Sequence, residues 1–435
     1  MSWLWQGALP FVVVLGSVVL FHEFGHYLAA KAYGITVEAF SVGFGPRLFG
    51  FTHRGTEYRL SWIPLGGYVK LRGETGAEDG TPPDPGDLMA HSRLQRFIVF
   101  LMGAVFNLAT AFGLTTIIFM KGVQEFAYLY EPPVIGEIDT ESPAKAAGLQ
   151  PGDRVLEFGG NPVTTWKDLQ IQMLLSPGQT KDVVLDRKGE RVATRLEVEA
   201  TSNDIGKQSL FPATGVLVGG LQPGWPAEKA GLRKGDRIAA IDGVPMNTVN
   251  RVYETIQASP DKPLHVTIEG QDGTREVEIT PRDDGGKGRI GFVPTAPTVT
   301  RTYPFLEAAR QSLRQNLESI GLVFETFRKL LRRELSFKAF SGPVDLYRFS
   351  GEAAEEGLIP FLQLIAFVSL QLGIINLFPI PPLDGGHLFT IALEGALRRD
   401  LSTALKERVM QAGLILLLLF MATVIYFDIS KNFFH

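Results

Sequence analysis

The chain has 435 residues, of which 45 % are hydrophobic and 20 % charged, and its formal net charge at pH 7 is −4. This length allows about two to four domains. The composition is apolar for a soluble protein and too charged for one that lies wholly in a membrane, so we expect a membrane part joined to polar domains. The weak acidic balance gives no indication of nucleic-acid binding, and the absence of cysteine excludes a catalytic thiol, a disulfide framework and a cysteine zinc site.

An apolar N-terminal stretch carries three ionisable residues, His22, Glu23 and His26. They follow the pattern His-Glu-x-x-His, in which the histidines lie one helical turn apart on one face. Two imidazoles at this spacing can bind one Zn²⁺, and the glutamate between them can accept a proton from the attacking water. Because ionisable groups are costly in a bilayer, their place within the otherwise uncharged residues 8–30 predicts a functional site. The alternative is a soluble amphipathic helix with a polar corner.

Four segments are long and apolar enough to span or nearly span a bilayer. The first has no basic leading region, so we expect a retained membrane helix and not a cleaved signal peptide. The third ends in a proline cluster that no helix continues through intact, and broken backbone at membrane depth indicates a site. The segments lie at about 8–30, 97–120, 359–380 and 409–427.

Basic residues predict the orientation of these segments. The loop at 31–96 and the loop after the third segment both carry several lysines and arginines, whereas the two chain ends carry few. The positive-inside rule therefore predicts that both loops lie in the cytoplasm and both termini outside. The large middle region, at about 121–340, is then expected outside as well.

The middle region contains an internal repeat. Residues 142–149 recur in similar form at 225–232, and each copy continues into Gly-Asp-Arg, a short apolar strand and a turn. This pattern predicts two β-rich domains, each with a short helix. The predicted domains are an N-terminal membrane part at 1–120, two β-rich domains at 121–207 and 208–296, an amphipathic helix region at 297–345 and a C-terminal membrane part at 346–435.

The helix predicted between the second repeat and the third span is amphipathic. Its apolar residues recur at helical spacing from Tyr303 onward, and arginine and glutamate fill the other face. We expect this helix to lie on the outer membrane–water interface. The alternative is a helix that packs on the repeat domains.

A second chemical cluster follows the third span. Asp384 comes directly after the proline break, at the same predicted depth as the two histidines, and is the predicted third zinc ligand. Asn376 can donate a hydrogen bond to an oxyanion or to the substrate backbone. The alternative for Asp384 is a helix N-cap. His387 is an alternative ligand, for which we favour a supporting role.

The first cytoplasmic loop contains a strand-like run at 58–70, interrupted by proline and glycine. This composition predicts a short edge strand in a hairpin or re-entrant β element. Such an edge can hold an unwound substrate in extended form through backbone hydrogen bonds. The alternative is a plain cytoplasmic hairpin. The predicted substrate contacts are Gly66, Gly67, Tyr68 and Val69.

The repeated run Ala-Gly-Leu-x-x-Gly-Asp resembles that of PDZ domains, which bind extended peptides by strand addition. The resemblance implies a peptide-binding segment late in each copy. In the second copy, Ile290, Gly291 and Phe292 match that segment. The alternative is that one or both domains bind no peptide.

The ordered motifs resemble the site-2 protease family of intramembrane zinc metalloproteases over almost the whole chain. The resemblance implies a multi-pass α-helical membrane protein with four transmembrane helices and two inserted β-rich PDZ-like domains. The family's Gly-Pro-x-x-Asn motif corresponds to residues 103–107, with Ala104 in place of proline. The implied roles are one Zn²⁺ per chain on His22, His26 and Asp384, Glu23 as the base, and Asn376 and Asn107 as substrate contacts.

The resemblance also implies a cellular role. The expected substrates are single-span membrane proteins already trimmed outside the membrane, such as an anti-sigma factor in an envelope stress response, and remnant signal peptides. The expected location is the bacterial inner membrane, with both termini and the PDZ-like domains in the periplasm and the active site toward the cytoplasm. Two other classes stay open on the residues alone: a membrane-anchored PDZ scaffold with a structural zinc, and a zinc transporter.

Overall fold

A computed structural model of the protein describes residues 2–74, 83–139, 142–201, 205–270 and 272–433. The chain divides into two compact units. The membrane unit comprises Met1–Val123, Thr302–Arg328 and Phe340–His435, and the β-rich unit comprises Gln124–Arg301 and Lys329–Ala339.

Eleven α-helices occur in the described parts of the chain, and the long ones belong to the membrane unit. They are α1 (Ser2–Ala32), α2 (Arg93–Lys121), α3 (Pro143–Ala146), α4 (Trp166–Leu174), α5 (Pro226–Lys229), α6 (Val249–Gln257), α7 (Phe305–Leu331), α8 (Pro343–Glu356), α9 (Leu358–Ile375), α10 (Asp384–Leu397) and α11 (Thr403–Phe433).

Eighteen strands occur in the same described parts. They are β1 (Val37–His53), β2 (Thr56–Leu71), β3 (Val123–Phe126), β4 (Ile135–Ile138), β5 (Arg154–Phe158), β6 (Asn161–Pro162), β7 (Gln179–Arg187), β8 (Glu190–Val198), β9 (Leu210–Pro212), β10 (Val216–Leu221), β11 (Arg237–Ile241), β12 (Val244–Pro245), β13 (Leu264–Gly270), β14 (Gly273–Ile279), β15 (Arg282–Asp284), β16 (Lys287–Arg289), β17 (Phe292–Thr295) and β18 (Thr298–Arg301).

Four helices are long and apolar enough to cross a membrane, as the sequence predicts. The third of them, α9, ends at Ile375, a few residues before the proline cluster. Proline lacks the backbone N–H that a helix interior needs, so the chain leaves the helix there and starts α10 at Asp384. The candidate spans are Gly7–Ala32, Arg93–Lys121, Leu358–Ile375 and Ala404–Ser430.

The two long strands of the membrane unit fold into four side-by-side segments. Residues 39–42 of β1 pair with both halves of β2: Phe40 lies opposite Val69 on one side and opposite Tyr58 on the other. The later half of β1 pairs with the first half of β2, so that Phe51 also lies opposite Tyr58. The end of β2, residues 67–71, is therefore an edge of this sheet, as the predicted edge strand requires.

Helix α7 packs on the membrane helices. The Ser312 hydroxyl donates to the Phe112 carbonyl of α2 at 2.9 Å, and Ala308 is fully buried beside Phe119. Farther along, Val323 packs with residues of α2 and α9. The face of α7 that points away from these helices exposes large apolar side chains. The predicted interfacial location stays a prediction, and the contacts show in addition that one face of the helix is anchored to α2 and α9.

The β-rich unit repeats one order of elements. Each copy has a strand, a short helix, two strands, a longer helix, two long strands and a final strand: β4 to β9 in the first copy and β10 to β17 in the second, which inserts the hairpin β15–β16. The second copy forms one sheet in the order β14–β13–β11–β10–β17, with β12 on β11. The predicted internal repeat is thus present in the fold.

The repeated Gly-Asp-Arg motif has a structural role in both copies. Buried Asp153 accepts from Arg187 at 2.7 Å, and buried Asp236 accepts from Arg275 at 2.6 Å. Each arginine also donates to the carbonyl of the glycine that follows the short helix. The motif therefore ties the short helix to the long strands, which the sequence alone did not reveal.

Candidate metal centre

Helix α1 brings both histidines of the His-Glu-x-x-His motif to one buried place. The side chains of His22 and His26 are buried, and their Nε2 atoms lie 3.2 Å apart. His26 Nδ1 lies 2.8 Å from the Val99 carbonyl oxygen. Because a carbonyl oxygen can only accept, this contact assigns the ring proton to Nδ1 and leaves Nε2 of His26 available to a metal.

Asp384 joins the two histidines from the start of α10. Its Oδ2 lies 3.1 Å from His22 Nε2 and 3.4 Å from His26 Nε2. Ligand atoms around a tetrahedral Zn²⁺ at about 2.0–2.1 Å are roughly 3.3 Å apart, so these spacings match three corners of such a site. Oδ2 is also a buried acceptor without a hydrogen-bond partner among the described residues. The donor set therefore fits one zinc ion and leaves a fourth position.

The segment that joins α9 to α10 fixes Asp384 beside Asn376. The Gly385 amide donates to the Asn376 carbonyl at 2.6 Å. A Cβ at Gly385 would lie 2.1 Å from the Phe378 carbonyl oxygen, and one at Gly386 would lie 2.7 Å from a backbone nitrogen. Only glycine fits two such close approaches. The Gly-Gly pair is thus required for the turn that brings Asp384 to the two histidines.

Two asparagine side chains contact the ring of His22. Asn376 Nδ2 lies 3.3 Å from His22 Nε2, and Asn107 Nδ2 lies 3.4 Å from His22 Nδ1. Asn107 is fully buried, and Ser369 of α9 donates to its backbone carbonyl at 2.9 Å. Both predicted polar contacts are therefore at the metal centre, although Ala104 replaces the proline of the family motif. Ser369 had no signal in the sequence.

Glu23 lies between the metal centre and the edge of the sheet. It is not one of the converging ligand residues, which are His22, His26 and Asp384. The backbone N–H of Val69 lies near the Glu23 carboxylate. A Cβ at Gly67 would lie 3.6 Å from Glu23 Cγ and 2.6 Å from the Ser41 carbonyl oxygen. The predicted edge strand is therefore in contact with the predicted base.

The other two predicted contacts of this strand have different surroundings. Gly66 has φ +117°, and a Cβ there would lie 2.3 Å from the Phe44 ring. The Tyr68 hydroxyl accepts from Arg59 at 2.9 Å. Gly66 therefore shapes the turn into the edge strand, and Tyr68 is held by its own sheet.

Close packing between α1 and α2 depends on two glycines, and the sequence analysis did not predict this packing role for either of them. A Cβ at Gly103 would lie 2.3 Å from His26 Nε2, and one at Gly25 would lie 2.2 Å from the Met102 carbonyl oxygen. Both positions need a residue without a side chain. The signal was present in the motif at 103–107, but its reason is the neighbouring helix.

The predicted peptide-binding residues lie in the β-rich unit. Ile290 is buried in the core of the second copy, Gly291 has φ +73°, and Phe292 begins β17. β17 pairs with β10 and is the end strand of its sheet as described. The side chain of Ile290 thus serves the core, and peptide binding at this segment stays a prediction.

Comparisons with known proteins bear on this geometry. The model of peptidase family M50 matches residues 10–420. The chain is 32 % identical to "Regulator of sigma-E protease RseP" of Escherichia coli (strain K12), over 99 % of this chain and 100 % of that protein. It is 30 % identical to a Neisseria meningitidis protein whose name describes a zinc metalloprotease, over 97 % of this chain and 98 % of that one.

Among solved structures, the PDZ domain of an SdrC-like protein from Listeria monocytogenes is similar to part of this chain. The match has 22 % identity and a TM-score of 0.18, and it covers 19 % of this chain and 90 % of that domain. The two sequence comparisons, in contrast, span nearly the whole chain and include every residue of the metal centre. The chain therefore belongs to peptidase family M50, the site-2 proteases, and it is a zinc metalloprotease.

Proposed function

We propose that this protein is an intramembrane protease that cleaves peptide bonds within the transmembrane segments of other membrane proteins. The observation that carries the proposal is the convergence of His22, His26 and Asp384, with Glu23 beside them, on helices α1 and α10. Residues 22–26 lie inside a helix long enough to cross the membrane. The reaction is then carried out at membrane depth.

Each polar residue of the centre has a chemical role in hydrolysis. His22, His26 and Asp384 would hold the zinc ion, which supplies carbonyl polarisation and a more acidic water when bound. The Glu23 carboxylate accepts the proton of the attacking water and passes it to the leaving amine. The Asn376 amide donates a hydrogen bond to the oxygen that becomes negative in the transition state.

The edge of the β-sheet accounts for the handling of a helical substrate. Peptide carbonyls in a transmembrane helix are bonded within the helix, so the segment must unwind before attack. Residues 67–71 form a sheet edge, and Val69 contacts Glu23. An unwound substrate that pairs with this edge would have its backbone beside the base.

The surroundings of the spans support a bilayer as partner. Helix α11 exposes large apolar side chains along its length, with Leu416 58 % and Leu419 63 % exposed. The hairpin of β1 and β2 also exposes Phe49 and Trp62, at 68 % and 65 %. Acyl chains are the surroundings in which such faces are stable, and the hairpin is then a re-entrant element.

One ion pair supports the predicted orientation. Arg93 Nη2 at the start of α2 lies 2.8 Å from Asp400 Oδ1, just after α10. The two basic loops therefore meet at one end of the membrane unit, and we assign this end to the cytoplasm. The termini and both β-rich domains would lie in the periplasm. Because the chain has no cysteine, labelling of single-cysteine variants at Arg399 and Lys262 tests this assignment directly.

The physiological substrates are proposed from the family resemblance. A relative named as a regulator of sigma-E protease supports a role in a stress response. We propose a pre-trimmed single-span anti-sigma factor as the substrate and remnant signal peptides as further ones. The two β-rich copies would act as PDZ-like domains, and the edge strand β17 is the place for peptide addition in the second copy.

Cleavage of a tagged single-span protein by the purified full chain tests the proposal. Mass spectrometry of the products should place the cut inside the transmembrane segment. Removal of zinc by a chelator should stop the reaction, and added zinc should restore it. A cut outside the membrane segment, or full cleavage after metal removal, would contradict the proposed function.

A further inference from the structure

We infer that His387 is a positioning residue, a role that rests on the proposed metal site. Its ring, stacked on Phe100, keeps the helix that carries Asp384 in register with the two histidines of α1. His387 does not belong to the converging ligand residues, which are His22, His26 and Asp384.

The ligands come from two helices whose relative position depends on a third. In one core cluster, Val99 and Phe100 of α2 pack with Leu388 and Ile391 of α10. The same cluster contains alanines of α1. Helix α10 is thus seated on α2, and α1 is seated on α2 as well. The distance between Asp384 and the histidines depends on both of these packings.

The stack lies where α10 meets α2 nearest to the ligand. The rings of His387 and Phe100 are 4.4 Å apart between centroids and 2° from parallel. His387 follows Asp384 by one helical turn, so a shift of its ring would move the carboxylate. Phe100 is buried, and a flat stack of this kind stabilises the pair beyond the burial of the rings.

Phe100 also contacts the other side of the centre. Its ring meets that of His26 at 6.4 Å and 70°. The residue before it, Val99, accepts from His26 Nδ1. His26 Nε2 in turn lies 3.4 Å from Asp384 Oδ2. The contacts therefore lead from His387 through Phe100 and His26 back to Asp384, in the same helix as His387. In this series of contacts, the stack of His387 on Phe100 joins α10 to α2.

His387 contacts Phe100 through the face of its ring, so substitutions can separate this stacking from binding of a metal by a ring nitrogen. A phenylalanine at position 387 keeps a flat ring but has no nitrogen, whereas an alanine has neither. We therefore expect His387→Ala to weaken zinc binding by about 10–100-fold, the range for partners that orient ligands. His387→Phe should restore affinity close to the original.

Zinc affinity of the purified full chain is measured by chelator competition, and Co²⁺ absorption bands report the geometry of the site. Phe389→Ala is the matched control, because Phe389 lies in the same helix and is 57 % exposed. It should leave both readouts unchanged. Phe100→Ala should weaken binding as His387→Ala does, and the double variant should lose less than the sum of the two.

Two results would overturn the inference. One is unchanged zinc affinity and cobalt spectrum in His387→Ala. The other is a His387→Phe variant as weak as His387→Ala, which would mean that a ring nitrogen is needed. If His387→Ala does not fold, His387→Gln compared with His387→Phe decides on the same readouts. Unchanged zinc content in a His22→Ala, His26→Ala double variant would instead remove the proposed ligand set itself.

Discussion

Glu23 lies beside the ligands without belonging to them, so its role can be separated from metal binding. Glu23→Gln keeps size and polarity but cannot accept a proton. We expect zinc to stay bound and cleavage to fall by at least ~10²-fold, the usual scale for loss of a general base. Zinc content and cleavage rate are measured on the same preparation. Near-normal cleavage would show that another group is the base.

A glycine next to the ligands offers a second test of single residues. Gly103→Ala would place a Cβ 2.3 Å from His26 Nε2. Displacement of the imidazole should weaken zinc binding by roughly tenfold or more, since overpacking of this kind costs about 1–3 kcal/mol. Gly113→Ala in the same helix is the control, because nothing lies within 4 Å of its Cβ. Equal zinc affinities in the two variants would refute the contact.

At the scale of the elements, the backbone of the sheet edge at residues 67–71 can be tested by substitution. Val69→Pro removes the backbone N–H that lies near the Glu23 carboxylate at the sheet edge. We expect the cleavage rate to fall by roughly tenfold or more, the scale on which a backbone donor to a charged group matters, with zinc content intact. Val69→Ala keeps the amide and should cleave almost normally. If Val69→Ala is as slow as Val69→Pro, the side chain and not the edge is responsible.

The first β-rich copy makes a prediction about pH. Burial raises the pKa of Asp153, but hydrogen bonds from Arg187 and from the Gln150 amide outweigh it, so the pKa lies below its usual value. A depressed pKa stabilises the fold above the unfolded value of about 3.9, and this stability is lost as pH falls through the folded value. Protection factors of the amides in residues 142–198 of the full chain, each corrected for the intrinsic exchange rate at that pH, should therefore fall below about pH 4.

Two variants separate this ion pair from a general acid effect. Asp153→Asn should accelerate exchange in the first copy at pH 7 by roughly tenfold or more, as expected for loss of a charged hydrogen bond, and should flatten the pH response. Asp182→Asn should change little, because Asp182 and its partner Arg195 are both largely exposed. Equal effects of the two substitutions would contradict the role given to the buried pair.

For the whole molecule, the helical state of the substrate should limit the reaction. If the sheet edge at 67–71 holds the substrate, the substrate backbone must be extended to reach the metal centre. A substrate with glycine or proline in its membrane helix should be cut roughly tenfold faster or more than an all-leucine one, because about 1–3 kcal/mol of helix propensity per residue is removed. Equal rates with matched expression and membrane insertion would show that unwinding is not a controlling step.

Local pattern determined much of what this protein is. Helical spacing places His22 and His26 on one face in any α-helix, and a proline run ends α9 in any environment. The apolar lengths of the spans and the internal repeat are also local properties. The family and the zinc ion could therefore be predicted before any contact was known, and His22, His26 and Asp384 could be proposed as its ligands.

Contacts between distant segments were decided only by the tertiary structure. The closeness of Asp384 to His26, the Gly103 contact, the Ser369 bond to Asn107 and the flat stack of His387 on Phe100 each join residues from different helices. No spacing along the chain encodes such pairs, because they depend on how α2 seats both α1 and α10. The pairing of Arg187 with Asp153 is of the same kind. Sequence identified the groups that are candidates for the chemistry, and packing determined how they are held.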